Sequence, residues 1–344
     1  MARVRRKPTA IDLFCGCGGL SLGLARAGFR VLAAVDSDPL AIATYRKNHK
    51  RVRAICDDIR SVTPANLLKL LALKPGELSL LAGCPPCQGF STLRTMNGGR
   101  RVRDSLNKLL FEFVRFVRVL RPQAIMIENV PKLAKGWQYW MFRRRIKKLG
   151  YRVRVGVFDA ADFGVPQRRK RMILVGMKTK QIEFAKASTT KLTVKSAIGA
   201  LTHPSRSRDT VHNYPVARAR EVKARIRQIP KNGGSRGDLS TKNQLPCHKK
   251  INGFRDIYGR MSWSEPSPTI TGGCINPSKG RFLHPTHNRA ITLREAALLQ
   301  GFPRKYYFQM SNGRYPVAQL IGNAFPPEFA ARHANQIRER LKSQ

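Results

Sequence analysis

A thiol and a carboxyl group occupy matching local settings in this chain. Pro86-Cys87-Gln88 follows an apolar run, Leu78 to Gly83, and Glu128-Asn129-Val130 follows another, Ala124 to Ile127. Runs of this length bounded by turn residues read as buried strands of a parallel α/β sheet. Both motifs then fall just past strand carboxyl ends, the edge where open α/β sheets gather ligands and chemistry. A thiolate there can act as a nucleophile and divide one hard step into two easier ones. A carboxyl group can deliver a proton near neutral pH where burial raises its pKa.

The third reactive element is a glycine turn. Asp12-Leu13-Phe14-Cys15-Gly16-Cys17-Gly18-Gly19 follows the first expected strand and opens a helix. Glycines there let the backbone turn tightly and approach a ligand closely. A nicotinamide site wants Gly-x-Gly-x-x-Gly, and Ser21 stands at the third glycine position. Asp36, ending the second strand, suits ribose hydroxyls. Asp58, after the third, can accept a hydrogen bond from an adenine amino group.

The elements that must position these groups are legible as periodicity. Thr9 to Phe14, Val31 to Val35, Val52 to Cys56, Leu78 to Ala82 and Ala124 to Ile127 read as strands. Leu106, Leu109, Leu110, Phe113, Val114 and Val117 recur at helical spacing, and Arg121-Pro122 closes that helix. Val153, Val155 and Val157 alternate, and Met172 to Val175 form a further run. This βαβ series predicts an α/β, Rossmann-like, doubly wound and mostly parallel sheet. The pattern breaks from about Lys178 to Pro268, where basic and polar loops predominate. Phe329, His333, Ala334, Ile337 and Leu341 mark a closing amphipathic helix that returns to the first domain.

Composition bounds the partners. The 344 residues carry 65 Lys and Arg against 20 Asp and Glu, a formal charge of +45, with 42% hydrophobic residues. A foldable chain with this imbalance meets a polyanion, nucleic acid first, or shares a proteome-wide arginine bias. Dense clusters at Arg143-Arg144-Arg145 and Arg168 to Arg171 favour the first. No run approaches the roughly 20 apolar residues of a membrane span. The basic start, Met1 to Lys7, imitates a signal peptide, but Asp12 interrupts the apolar stretch behind it. Seven cysteines without framework spacing point to reduced thiols in a cytosolic setting. Cys84-Pro85-Pro86-Cys87 could be a redox dithiol or half a zinc site, but Cys247-His248 offers poor spacing for the other half. No metal is expected.

Taken in order, Asp12 to Gly19, Pro86-Cys87-Gln88, Glu128-Asn129-Val130, Gln167-Arg168-Arg169-Lys170-Arg171, Arg294 to Pro303 and Gly322-Asn323 resemble the motifs of the DNA (cytosine-5) methyltransferase family. The resemblance spans nearly the whole chain. It implies a class I methyltransferase fold and methyl transfer from S-adenosylmethionine to C5 of a flipped-out cytosine in double-stranded DNA. Cys87 is then the nucleophile that adds to C6, and Cys84, which lacks the following Gln, a packed bystander. Glu128 contacts ring N3 and the amino group. Arg169 and Arg171 hold O2 and nearby phosphate, with Gln167 bracing the loop. The resemblance carries cofactor contacts onto Phe14, Gly16, Gly18, Asp36, Asp58, Ile59, Pro85, Leu109 and Asn323. Contacts to substrate fall on Gln88, Ser91, Arg100, Arg101, Gln167, Arg168, Thr269 and Ile270. Ser91 to Asp104 resembles the loop that closes over flipped DNA. The resemblance implies a catalytic domain of residues 1–177 with 317–344 and an inserted target-recognition domain over 178–316, with Ser267 to Gly273 near its end. Two departures are Asp36, where the family usually has Glu, and Cys15, where it has a small nonthiol residue. The implied setting is a prokaryotic cytoplasm at the nucleoid. The implied protein is a monomer on duplex DNA, away from membranes, with room for a companion restriction endonuclease. A tRNA-methylating relative carries a Cys-Phe-Thr element that this chain lacks. A silent DNA-binding regulator on the same scaffold would need neither Cys87 nor Glu128, and a nicotinamide oxidoreductase is disfavoured by Ser21 and by the charge.

Overall fold

A computed structural model describes residues 7–86, 109–240, 244 and 256–343. Cys87, Gln88, Ser91, Arg100 and Arg101, the loop 91–104, and Cys247-His248 lie outside the described residues.

Seven strands form one sheet: β1 (Thr9–Leu13), β2 (Arg30–Asp36), β3 (Arg53–Cys56), β4 (Leu80–Gly83), β5 (Ala124–Asn129), β6 (Arg152–Asp159) and β7 (Lys170–Met177). Their order is β3-β2-β1-β4-β5-β7-β6. The order reverses on either side of β1, which lies between β2 and β4. Ligands of open sheets bind at such a switch point. β7 runs antiparallel to both β5 and β6, a departure from the parallel βαβ pattern. β6 and β7 are joined by the short segment 160–169, too short for a parallel crossover.

The interior strands are nearly all apolar, because a strand covered on both faces cannot leave alternate side chains in water. The connecting helices are α1 (Gly19–Arg26), α2 (Pro39–Asn48), α3 (Pro64–Leu70), α4 (Leu109–Leu120) and α5 (Trp137–Lys148). α4 buries Leu109, Leu110, Phe113, Val114, Phe116, Val117 and Leu120, a stripe at three- and four-residue spacing. It ends where Arg121 takes a φ of 49° before Pro122.

The chain folds as two compact units. The first comprises Met1–Asp159, Lys170–Ala187 and Phe325–Gln344. Its closing helix α10 (Pro327–Lys342) packs against α1 at Gly23. A Cβ at Gly23 would lie 2.5 Å from Ala330 Cβ and 2.6 Å from the Pro327 carbonyl oxygen, so only glycine admits this approach.

The second unit comprises Ala160–Arg169 and Ser188–Ala324. Its helices are α6 (Val194–Ile198), α7 (Arg220–Gln228), α8 (Leu293–Leu299) and α9 (Arg314–Asn323). A small core gathers Ile226, Ile229, Leu239, Tyr258 and Leu283. Beside it Arg260, wholly buried, donates to the carbonyls of Ile226 (2.8 Å), Ile229 (3.0 Å), His284 (2.9 Å) and His287 (2.7 Å). Loops without a ladder leave carbonyls to satisfy, and a five-donor guanidinium satisfies several at once. The units therefore change over at 188 and 324 rather than at the expected 178 and 316. Residues 160–169 join the second unit because their side chains are bonded into it, a link of more than a hundred residues in sequence that local patterns do not carry.

Candidate active site

The glycine turn leaves β1 through Phe14, whose φ of 62° is left-handed, and continues through Gly16 at 52° and Gly18 at 97°. Gly18 is the N-cap of α1 and offers it no side-chain cap. A Cβ built on Gly16 would meet nothing within 4 Å, so the space over the turn is open. The turn is braced from behind. Asp36 accepts hydrogen bonds from Gly16 N–H (2.8 Å) and Asp38 N–H (2.9 Å), and burial raises its pKa. Beneath the turn, Tyr45 Oη donates to Ser21 Oγ (2.7 Å), which donates to Asp12 Oδ2 (2.7 Å). Ser21 thus fills the place of a third glycine with a hydrogen bond. Burial pushes Asp12 up to about 7, and its Oδ1 has no hydrogen-bond partner among the described residues.

Open space, left-handed backbone and a half-buried acceptor fit a ligand carrying hydroxyls and positive charge. The other expected cofactor residues vary. Asp58 is held by its own neighbour, Arg60, whose Nε lies 2.9 Å away, and these hydrogen bonds lower its pKa to about 2. Ile59 is core, its carbonyl accepting from Arg115 Nη2 at 2.6 Å. Leu109 is buried at the start of α4. Asn323, exposed, ends α9 in the second unit.

Around the thiol motif, β4 ends at Gly83, and Cys84 N–H donates to Leu13 O at 3.2 Å, tying the departing chain to β1. Asn129 Nδ2 then donates to Pro85 O at 2.9 Å, while Asn129 Oδ1 accepts from Val130 N–H at 2.8 Å. One side chain thereby joins the segment leading into Cys87 to the end of β5. Asn129 was not among the expected site residues, although it stands inside the motif that predicted one. Glu128 and Asn129 are not past the strand, as expected, but its last two residues, paired with Ile173 and Met172 of β7. The antiparallel neighbour extends β5 by two residues and fixes Glu128 by backbone. The Glu128 carboxylate, 8% exposed, meets Arg171 Nε at 2.8 Å.

Three of the other described thiols, Cys15, Cys17 and Cys274, are buried, whereas Cys56 is exposed. Burial pushes Cys17 and Cys274 up to about 12 and Cys15 well above its usual value. Cys84 is half-buried.

The arginine motif splits. Arg171 pairs with Glu128 within the first unit. Arg169 departs from expectation: it is 3% exposed and donates to Ile270 O and Gly322 O, both at 2.9 Å. Ile270 likewise is fully buried rather than presented to DNA. Gln167 Oε1 accepts from Ile270 N–H (2.8 Å), and its amide bonds Gln300, which in turn donates to Ile321 O (3.0 Å) and Ala324 O (2.6 Å). Thr269 gives its hydroxyl to Arg168 O at 2.7 Å, and exposed Arg168 pairs with Glu265 at 2.9 Å. Only glycine fits at 322, since a Cβ there would lie 2.2 Å from Thr271 carbon. Motifs far apart in sequence are therefore one internal seam of the second unit. Among the described residues no group of three or more His, Cys, Asp or Glu could hold a metal, and no helix is long and apolar enough to cross a membrane.

Residues 9–339 match the family described as C-5 cytosine-specific DNA methylase. The type II methylase M.HgiDII of Herpetosiphon aurantiacus is 37% identical over 96% of this chain and 95% of its own length. The type II methyltransferase M1.HphI of Haemophilus parahaemolyticus is 33% identical over 96% and 86%. Among solved structures, a prophage-encoded DNA modification methyltransferase candidate from E. coli superposes with a TM-score of 0.75 at 25% identity, covering 97% of this chain and 99% of that one.

Proposed function

Because the chain belongs to the C-5 cytosine-specific DNA methylase family, and is a DNA cytosine-5 methyltransferase of the type II restriction–modification kind, we propose how its own residues carry out the reaction. Cytosine C5 is a weak nucleophile while the ring is aromatic. The Cys87 thiolate adds to C6, aromaticity is lost, and electron density reaches C5. Covalent catalysis replaces one high barrier by two lower ones. S-adenosylmethionine, when bound, would supply an electrophilic methyl group on a sulfonium and leave as the neutral thioether S-adenosylhomocysteine. The turn from Phe14 to Gly18 would cradle the cofactor, with Asp36 accepting from ribose hydroxyls and Asp58, Ile59, Pro85 and Leu109 around it. Once C5 is alkylated, its proton leaves to solvent and the C6–S bond breaks, returning the thiolate.

Glu128 holds ring N3 and the exocyclic amino group, and Arg171 fixes the carboxylate for that task while reaching toward O2. The target base leaves the duplex to enter this edge, at a few kcal/mol in stacking and pairing. The loop 91–104, with Arg100 and Arg101, closes over it, and the second unit reads the DNA sequence. Arg169 acts through the scaffold, not on the base.

The observation that carries this reading is the Asn129–Pro85 hydrogen bond, which ties the entry to Cys87 onto the strand end bearing Glu128. The test is incubation with a labelled methyl donor and either duplex DNA or tRNA. Label in cytosine C5 of DNA alone is expected; label confined to tRNA would overturn the DNA assignment. Duplex affinity should also fall steeply with salt, since many phosphates are neutralised.

A further inference from the structure

The outer face of α5 has no part in this chemistry. Trp137 and Trp140 are 68% and 57% exposed, whereas the opposite stripe, Tyr139, Phe142 and Ile146, is buried. Two indoles left in water forgo a large hydrophobic gain. The helix WQYWMFRRRIKK bears five cations and no acid, and none of the five forms an ion pair among the described residues. Arg144 lies over the Trp140 ring at 5.5 Å. The contrast with α10 is direct. There Arg332 pairs with Glu328 at 3.0 Å and Lys342 with Glu339 at 3.1 Å. Spacings of three and four put Trp137, Trp140, Arg144 and Lys148 on one face. α5 starts eight residues after Asn129, so its indole end follows the strand terminus that holds Glu128.

We propose that this face binds an unpaired nucleic-acid strand, with two bases stacked on Trp137 and Trp140 and the phosphates on Arg144, Lys147 and Lys148. Indole faces stack on open base faces, which a duplex hides between its pairs. The Cα atoms of Trp137 and Trp140 are about 4.5 Å apart along the helix axis, against about 3.4 Å between stacked neighbouring bases, so each indole can take its own base in a strand that is partly drawn out. An acidic peptide would satisfy the cations and leave the indoles in water. A lipid surface favours indoles opposite the cations, whereas here they share a face. The inference does not depend on the chemistry of Cys87.

The chain has three tryptophans, so Trp263→Phe leaves these two as the only indole reporters. The full-length protein is titrated with an oligo(dT) single strand of about twelve nucleotides, a duplex of equal length, and phosphatidylserine vesicles, at raised salt to suppress nonspecific binding. The single strand should quench indole fluorescence and the other two should not. Trp137→Ala and Trp140→Ala should each weaken single-strand binding about ten-fold, with Trp→Phe keeping most of it and methylation of duplex DNA unchanged. Equal or stronger quenching by duplex or vesicles would overturn the proposal. So would Ala variants, folded by circular dichroism, that bind the single strand within about two-fold of the parent.

Discussion

The two units solve the same problem differently. In the first, backbone polar groups are paired by a seven-stranded ladder, and side chains at its carboxyl edge are left over for ligands. In the second, loop carbonyls are gathered by buried guanidinium groups. Arg260 takes four carbonyls, Arg169 takes two, and Arg294 donates to Tyr306 O at 2.8 Å while pairing with Asp209 at 2.6 Å. Part of the +45 charge is therefore internal mortar rather than a surface for phosphates. Arg169 and Arg171 stand two residues apart, and one belongs to each solution.

The sharpest way to break the comparison is to remove chemistry from the first unit without touching its ladder. Cys87→Ser should abolish methyl transfer while leaving the melting temperature unchanged, and Cys84→Ser should retain most activity in the same radiolabel assay. The reverse pattern would mean that the nucleophile is misplaced.

Next in size is loss of mortar. Arg260→Met removes the guanidinium donors from four carbonyls at once, so the second unit should lose about 3–5 kcal/mol in denaturant unfolding. Arg169→Lys should cost about 2–4 kcal/mol, because an ammonium cannot span two carbonyls as the fork does. Arg171→Lys, which keeps a cation beside Glu128, should cost about 1 kcal/mol and lower the rate more than the stability. Equal stability losses at 169 and 171 would erase the distinction between the two arginines.

A smaller effect probes the first unit through pH. Asp12 is held near 7 by burial against an ordinary value of 3.8. The native state thus binds this proton more tightly than the unfolded chain does, so stability falls as pH rises from about 4 to about 7. Asp12→Asn should flatten that slope in unfolding curves taken across this range, and an unchanged slope would exclude Asp12 as its source. Gly16→Ala should show the smallest loss of stability, about 1 kcal/mol for left-handed backbone, with S-adenosylmethionine affinity by calorimetry falling further than stability does.

This contrast also explains what the sequence made legible. β1, β2, β4, β5 and the stripe of α4 are set by local apolar runs, and their positions follow from period alone. The glycine turn and the order of motifs point to the sheet edge for the same reason. The pairing of β7 against β5, which draws Glu128 into the strand, is long-range and has no local signature. Neither has the seam joining Gln167, Ile270, Gln300 and Gly322, whose members are separated by up to 155 residues. Arginine in particular misleads, since its type is the same whether it faces phosphate or a buried carbonyl. Ser21 misleads in the opposite sense: its departure from a glycine motif marks a hydrogen bond to Asp12.

The central claim is that sulfur of Cys87 bonds transiently to carbon of an extruded cytosine. Duplex oligonucleotides bearing 5-fluorocytosine in the methylated site, incubated with enzyme and S-adenosylmethionine, block loss of the C5 substituent and should leave the protein attached to DNA through denaturing electrophoresis. The adduct should map to Cys87 by mass spectrometry and vanish in Cys87→Ser. A protein that methylates the unmodified duplex but never forms this adduct, or forms it at another cysteine, would contradict the account.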